Sequence, residues 1–434
     1  MSDSPSSPPL AKRSWLSLAA VLFVQTQNAF NDNFVKFVLM GLAMAVAAES
    51  AIGKNIEYIL AAMIPLPFIL LAPVAGYMSD RFSKRDVIFQ CLLLQLALFV
   101  LICLAIVFRS VEVAVLGFFL LAVQSTFFSP AKQGILKEIV GSERLGFANG
   151  LMSMLTMVGI LGGMWLAGYW FDMRLASKNE LLGMQMENGW SAALVPVIAA
   201  CGACLIAIVI GRMVEKTPAH AGEKFSRTVW IRHFIHLKEL FSRSMLRSTA
   251  LFITGYWLVA NFLGLGFVQF AKEIYPNASK AGRMTETAKM LSWVGAGLIV
   301  GSVIVSLLSR KRIQYAFSPW GGIGMALGLG GVAFFGPGTL SWNVSLLVVG
   351  FASGFYVIPL NAWLQDIAEE DHRARVISAL NLMTAFSGIV AIGTGKLLQL
   401  AGLTASQQVI PFAVFLVVVS ALLGSFLKRT AALR

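Results

Sequence analysis

Apolar runs of about twenty residues, long enough to cross a hydrocarbon core as a helix, recur along the whole of this 434-residue chain. Charge and turn signals delimit twelve of them, at 15–45, 56–78, 87–108, 112–136, 144–171, 190–213, 247–272, 285–309, 313–335, 341–365, 374–400 and 407–427. The runs are continuous rather than alternating, which selects helices over a barrel. Only 13% of the residues are charged, about half the share of a soluble domain, and no stretch resembles a soluble catalytic domain. The expectation is an all-α membrane protein with twelve transmembrane helices.

The first span carries groups that lipid cannot satisfy: Gln25, Gln27, Asn28, Asn31, Asp32, Asn33 and Lys36. A charge at the bilayer centre costs at least about 2.5–3.5 kcal/mol, so this face is expected to line a polar cavity or to pair inside a bundle. Asn28, Asp32 and Lys36 step by four and share one helix face, which Gln25 extends. Asp32 before Lys36 is the favourable order for an i,i+4 ion pair. A structural salt bridge and a functional site are both open readings; intramembrane charges favour function. Elsewhere, Gln124 and Ser125 of span four are read as cavity-lining. Tyr256 and Asn261 of span seven, Tyr356 and Asn361 of span ten, and Asn381 of span eleven are further candidates for substrate contact.

The net charge of +13 does not point to nucleic acid, because the basic residues are spread among the loops. With the N-terminus inside, one side holds 24 Lys and Arg and the other 9, with Lys36 in the membrane. That asymmetry puts both termini in the cytoplasm. The chain divides into a disordered tail (1–14), a six-helix bundle (15–213), a basic linker (214–246), a second bundle (247–428) and a short tail (429–434). Trp230, Ile231, Phe234, Leu237, Leu240 and Phe241 punctuate the basic linker, as in an amphipathic helix on an anionic leaflet. His233 and His236 there read as a solvated face rather than metal ligands. The four cysteines lie in apolar segments and read as small buried hydrophobes. Neither metal nor cofactor is expected.

An internal echo supports two related halves. Pro130 of span four and Pro359 of span ten sit 229 residues apart, each after an aromatic and before an amphipathic exit. Paired six-helix halves with a central loop describe a secondary transporter. Gly146 and Gly150, and Gly159 and Gly163, make Gly-x-x-x-Gly pairs suited to close helix approach.

Gly76-Tyr-Met-Ser-Asp80-Arg81-Phe-Ser-Lys84-Arg85 resembles the cytoplasmic loop signature of the major facilitator superfamily, with Ser83 where a second glycine is usual. Asp80, Arg81, Lys84 and Arg85 are expected to pair across helices in one conformational state, with Pro130 and Lys132 near the cytoplasmic mouth. Ala29-Phe-Asn-Asp32-Asn33, Ser129-Pro-Ala-Lys-Gln-Gly-Ile-Leu136, Ala148-Asn-Gly150 and Ile358-Pro-Leu-Asn-Ala-Trp-Leu-Gln365 resemble the bacterial lysophospholipid transporter family within it. The resemblance implies a lysophospholipid substrate, flipped across the inner membrane for reacylation, with Asp32 as the first-helix acid. Where that family carries an arginine in its seventh helix, this chain has Asn261-Phe262, so Lys36 is expected to supply the cation. The expected surroundings are membrane lipids and a separate cytoplasmic acyltransferase, and the expected state is a monomer. A proton-driven exporter of amphiphiles and a non-transporting membrane sensor are the alternatives.

Overall fold

The computed structural model describes residues 12–47, 50–176, 180–181, 184–185, 188–217, 233–275 and 280–432. The helices are α1 (Lys12–Val46), α2 (Ala51–Met63), α3 (Pro65–Arg81), α4 (Lys84–Val107), α5 (Val111–Val140), α6 (Leu145–Ala176), α7 (Asn188–Gly211), α8 (His233–Ser242), α9 (Ser244–Ile274), α10 (Lys280–Leu308), α11 (Ser318–Phe334), α12 (Leu340–Ile367), α13 (Arg373–Leu400), α14 (Ala405–Gln408) and α15 (Ile410–Ala432). Among the described residues the only sheet is a hairpin of two-residue strands, Glu180–Leu181 and Met184–Gln185.

Among the described residues, eleven helical segments are long and apolar enough to cross a membrane. The twelfth span is divided. α2 and α3 meet at Ile64–Pro65, where proline supplies no N–H to the preceding turn, and each piece alone is short. Most of the expected tail (1–11), and Trp230 and Ile231 of the linker, lie outside the described residues, as do the side chains of His233, Phe234, Ile235 and His236. α8 does not rest only on lipid: Leu240 is fully buried and belongs to the core of the second half.

Buried apolar side chains sort by half. One cluster draws only on residues from Leu240 to Leu427. Two others draw on Leu18 to Val214, joined by Ala362. Glycine sets the closest approaches. A Cβ on Gly159 or Gly163 would stand 2.5 or 2.4 Å from the carbonyl of Thr26 or Phe30, so α6 lies directly on the α1 backbone. Gly150 of the other expected pair abuts Ser306 of α10, bringing the two halves together.

One face of the molecule gathers the start of α1, the α3–α4 and α5–α6 turns, the α10–α11 connection and the start of α13. It carries the loops rich in Lys and Arg, and we call it the basic face. There the halves are bonded directly. Asp80 at the end of α3 accepts hydrogen bonds from the backbone N–H groups of Ala374 and Arg375, both at 3.0 Å. It thereby satisfies two orphan donors in the first turn of α13, and Arg375 Nε lies 3.4 Å from the same carboxylate. Asn149 and Gln365 exchange two amide hydrogen bonds of 3.1 Å. Lys137 pairs with Asp366 at 2.9 Å. These last two stand 229 positions apart, the offset that separates Pro130 from Pro359.

Of the loop cations expected to pair across helices beside Asp80, Lys84 does so and the other two act locally. Arg81 donates to Tyr77, one turn back on its own helix. Arg85 pairs with its neighbour Asp86. Lys84 reaches Glu138 of α5 within the first half, at 2.5 Å, with Arg373 of the second half at 3.9 Å from the same oxygen. Pro130 is buried within a continuous α5. Replacing Asp80 by Asn removes charge from this latch, and a hydrogen bond to a charged group contributes about 1.5–3 kcal/mol. The expected result is a roughly tenfold or greater rise in the population with a parted basic face. Electron–electron double resonance between spin labels at exposed Glu143 and Arg310 measures it; an unchanged distance distribution would deny Asp80 this role.

Candidate functional site

Asp32 sits in the interior of α1. A helical side chain leans toward the N-terminus of its own helix, which carries the carboxylate toward Asn28 and away from Lys36. Asn28 Nδ2 donates to Asp32 Oδ2 at 3.0 Å, and Ser125 Oγ of α5 donates to the same oxygen at 2.9 Å. Asn28 is held in turn by Gln95 Nε2 of α4, which donates to its carbonyl oxygen at 3.0 Å. Asp32 Oδ1 is buried with no donor among the described residues.

This group faces a cavity of about 240 Å³ between α1, α3, α5 and α6. Its polar wall is Gln25, Asn28, Asp32, Asn33, Ser125, Ser129 and Lys132; Ile64, Phe68 and Phe118 supply the apolar part. The expected i,i+4 ion pair is absent: Lys36 has no carboxylate at ion-pair distance among the described residues and does not line the cavity. The cation that does is Lys132, placed by sequence at the cytoplasmic mouth. Lys132 lies two helical turns from Ser125 on the same face of α5, a rise of about 10 Å. Its stem leans back along that face toward Ser125, and its ammonium lies 5.3 Å from the ring centroid of Phe128. Carboxylate and ammonium thus come from different helices into one chamber without forming a salt bridge.

The remaining candidates separate. Gln25 lines the cavity and donates to Thr156 of α6 at 3.0 Å. Asn33 lines it while donating to the Ala29 carbonyl at 2.9 Å. Gln124 does not: it is fully buried and donates to the Cys91 carbonyl, an interhelical bond. Tyr256 and Tyr356 are stacked core residues of the second half, with ring centroids 6.0 Å apart, and the Tyr356 hydroxyl donates to the Phe252 carbonyl. Asn261 donates to Ser387 at 3.5 Å, and Asn361 is half-buried on α12; neither lines the chamber. Asn381 reaches its wall from the second half by donating to Ser129 at 3.1 Å. Gln95 is not among the expected contacts, although an amide deep in the apolar run of α4, as distinct from Gln90 near its start, is a usable signal. Cys204 of α7 is also more than a small hydrophobe: it accepts from Gln27 and Asn31, at 3.5 and 3.1 Å.

A chamber walled by a carboxylate, an ammonium and several amides offers groups that can bind a polar or charged solute. A profile described as Major Facilitator Superfamily matches residues 19–392. The chain is 28% identical over 375 residues to lysophospholipid transporter LplT of Serratia proteamaculans, covering 83% of this chain and 82% of that one. It is 26% identical over 422 residues to LplT of Salmonella arizonae, covering 95% and 96%. Among solved structures, the transporter FucP in its outward conformation aligns with a TM-score of 0.73 at 13% identity, over 96% of this chain and 99% of that one. The human organic anion transporter MFSD10 aligns at 0.71 and 14%, over 96% and 100%. With an all-helical fold and a profile match across most of its length, this chain belongs to the Major Facilitator Superfamily and is a secondary transporter, not an enzyme.

Proposed function

We propose that the protein carries lysophospholipids with a zwitterionic head, such as lysophosphatidylethanolamine, across a bacterial inner membrane to the cytoplasmic leaflet by alternating access. The observation that carries this reading is the pairing of Asp32 and Lys132 across one chamber, each without a salt-bridge partner in it. An ammonium and a phosphate on one small headgroup complement such a site. The curated relatives named as lysophospholipid transporters support the substrate class. The excess of Lys and Arg on one face supports a cytoplasmic location for that face and for both termini.

The test compares uptake of labelled lysophosphatidylethanolamine into proteoliposomes by the wild type, Lys132→Ala and Lys36→Ala. A loss of about tenfold or more is expected for Lys132→Ala, the worth of a charged hydrogen bond, and a change under about threefold for Lys36→Ala. The reverse order would return the cationic role to Lys36. Absence of uptake by the wild type would remove the lysolipid; proton-dependent dye efflux would then favour an exporter, and no transport of either a sensor.

A further inference from the structure

A second cavity, of about 440 Å³, opens on the basic face and is shared between the halves. Ser142 and Glu143, in the turn between α5 and α6, form one wall. Lys311, Arg312 and Tyr315, from the connection between α10 and α11, form the other with Trp363 and Asp366 of α12. The first half provides the former and the second half the latter. Between them runs Ile313, packed against the cores of both halves, its Cα 3.6 Å from where a Cβ on Gly146 would stand.

The charges in this cavity are unequally used. Asp366 is engaged by Lys137 at 2.9 Å and by the Ser142 hydroxyl. Lys311 and Arg312 are exposed, and neither has an acid at ion-pair distance among the described residues. The indole Nε1 of Trp363, whose ring stacks on Tyr315 with centroids 5.2 Å apart, is buried with no acceptor among the described residues. Glu143, also exposed, is the one opposing charge left over. The walls therefore offer two adjacent cations, opposed by one carboxylate unpaired among the described residues, in a space of the size that holds small ligands.

We infer that the seam lined by Ser142, Lys311, Arg312 and Trp363 binds a phosphate-bearing anion, and that the anion holds the two halves together at the basic face. A guanidinium fork beside a lysine is the usual protein complement to phosphate. Because the walls belong to different halves, the site is complete only while they are joined, and a ligand that needs both shifts the equilibrium toward that arrangement. The inference rests on alternating access in this superfamily, not on which substrate is carried. The phosphate comes from a soluble phosphate ester or from the head of an anionic phospholipid.

Thermal unfolding of the purified full-length protein tests it without any transport measurement. Glycerol phosphate, added to detergent-solubilised protein at ionic strength matched with chloride, is the soluble probe. Nanodiscs containing phosphatidylglycerol, against nanodiscs of phosphatidylcholine, are the lipid probe. A rise in Tm of about 2 °C or more with one probe is expected, and the probe that gives it names the source. The double variant Lys311→Ala, Arg312→Ala should abolish the rise, and Glu143→Gln should lower the probe concentration giving half the rise about threefold. No rise with either probe, or an equal rise in the double variant, would overturn the inference.

Discussion

Asp32→Asn is expected to lower lysophosphatidylethanolamine uptake by about ten- to a hundredfold while leaving the protein folded. Asparagine is nearly the shape of aspartate, and its carbonyl oxygen can still accept from Ser125 and Asn28, which bond a single oxygen of Asp32. What disappears is the charge, along with the free acceptor Oδ1, since an amide nitrogen would stand in its place. A hydrogen bond to a charged group contributes about 1.5–3 kcal/mol, which gives that range of rates if the contact is stronger on the way across than in the resting complex. Labelled uptake into proteoliposomes, with the amount of folded protein checked by size-exclusion profile, decides it. Uptake within twofold of wild type would remove Asp32 from the mechanism while leaving the fold untouched.

The largest expected effect on stability comes from the second half. Gly297 and Gly301 of α10 face Gly350 and Gly354 of α12, and a Cβ on Gly350 would lie 1.9 Å from the Val294 carbonyl oxygen. One on Gly297 would lie 2.0 Å from that of Leu347. The obstacles are backbone atoms of a packed helix, so relief requires the two helices to separate. Overpacking of this kind costs about 1–3 kcal/mol or more, and Gly350→Ala should lower Tm by roughly 3 °C. Gly330→Ala, on a neighbouring helix with open space around it, should change Tm by less than about 1 °C. Equal behaviour of the two variants would mean that the α10–α12 approach is looser than described.

The contrast between these sites explains what could be read from the amino-acid order. Composition and the length of the apolar runs announce the membrane helices, because lipid tolerates few other solutions. The polar face of α1 is visible for the same reason, and its Asp32 lines the cavity. Partnership was not visible. Spacing by four made Lys36 the natural mate of Asp32, but the backward lean of helical side chains and the presence of Ser125 took the carboxylate elsewhere. Lys132 could not be assigned to the chamber from its position in α5, since that depends on which face of α5 meets α1. Tyr256, Tyr356 and Asn261 failed similarly: polar atoms in a span can serve the packing of their own half. The glycines at 297, 301, 350 and 354 follow the same i,i+4 pattern as those noted in α6, but only the assembled helices reveal which pairs touch backbone to backbone.

Lys137 and Asp366 occupy corresponding places in the two repeats and meet each other. Had the repeats remained identical copies, each such place would confront its own double, lysine against lysine or aspartate against aspartate, and the meeting would be repulsive. A dimer assembled from two copies of either repeat would push itself apart at this spot, because a two-fold axis sets like beside like. Attraction here is therefore available only to a diverged pair, and reverting either residue to its counterpart would expose the conflict that divergence removed.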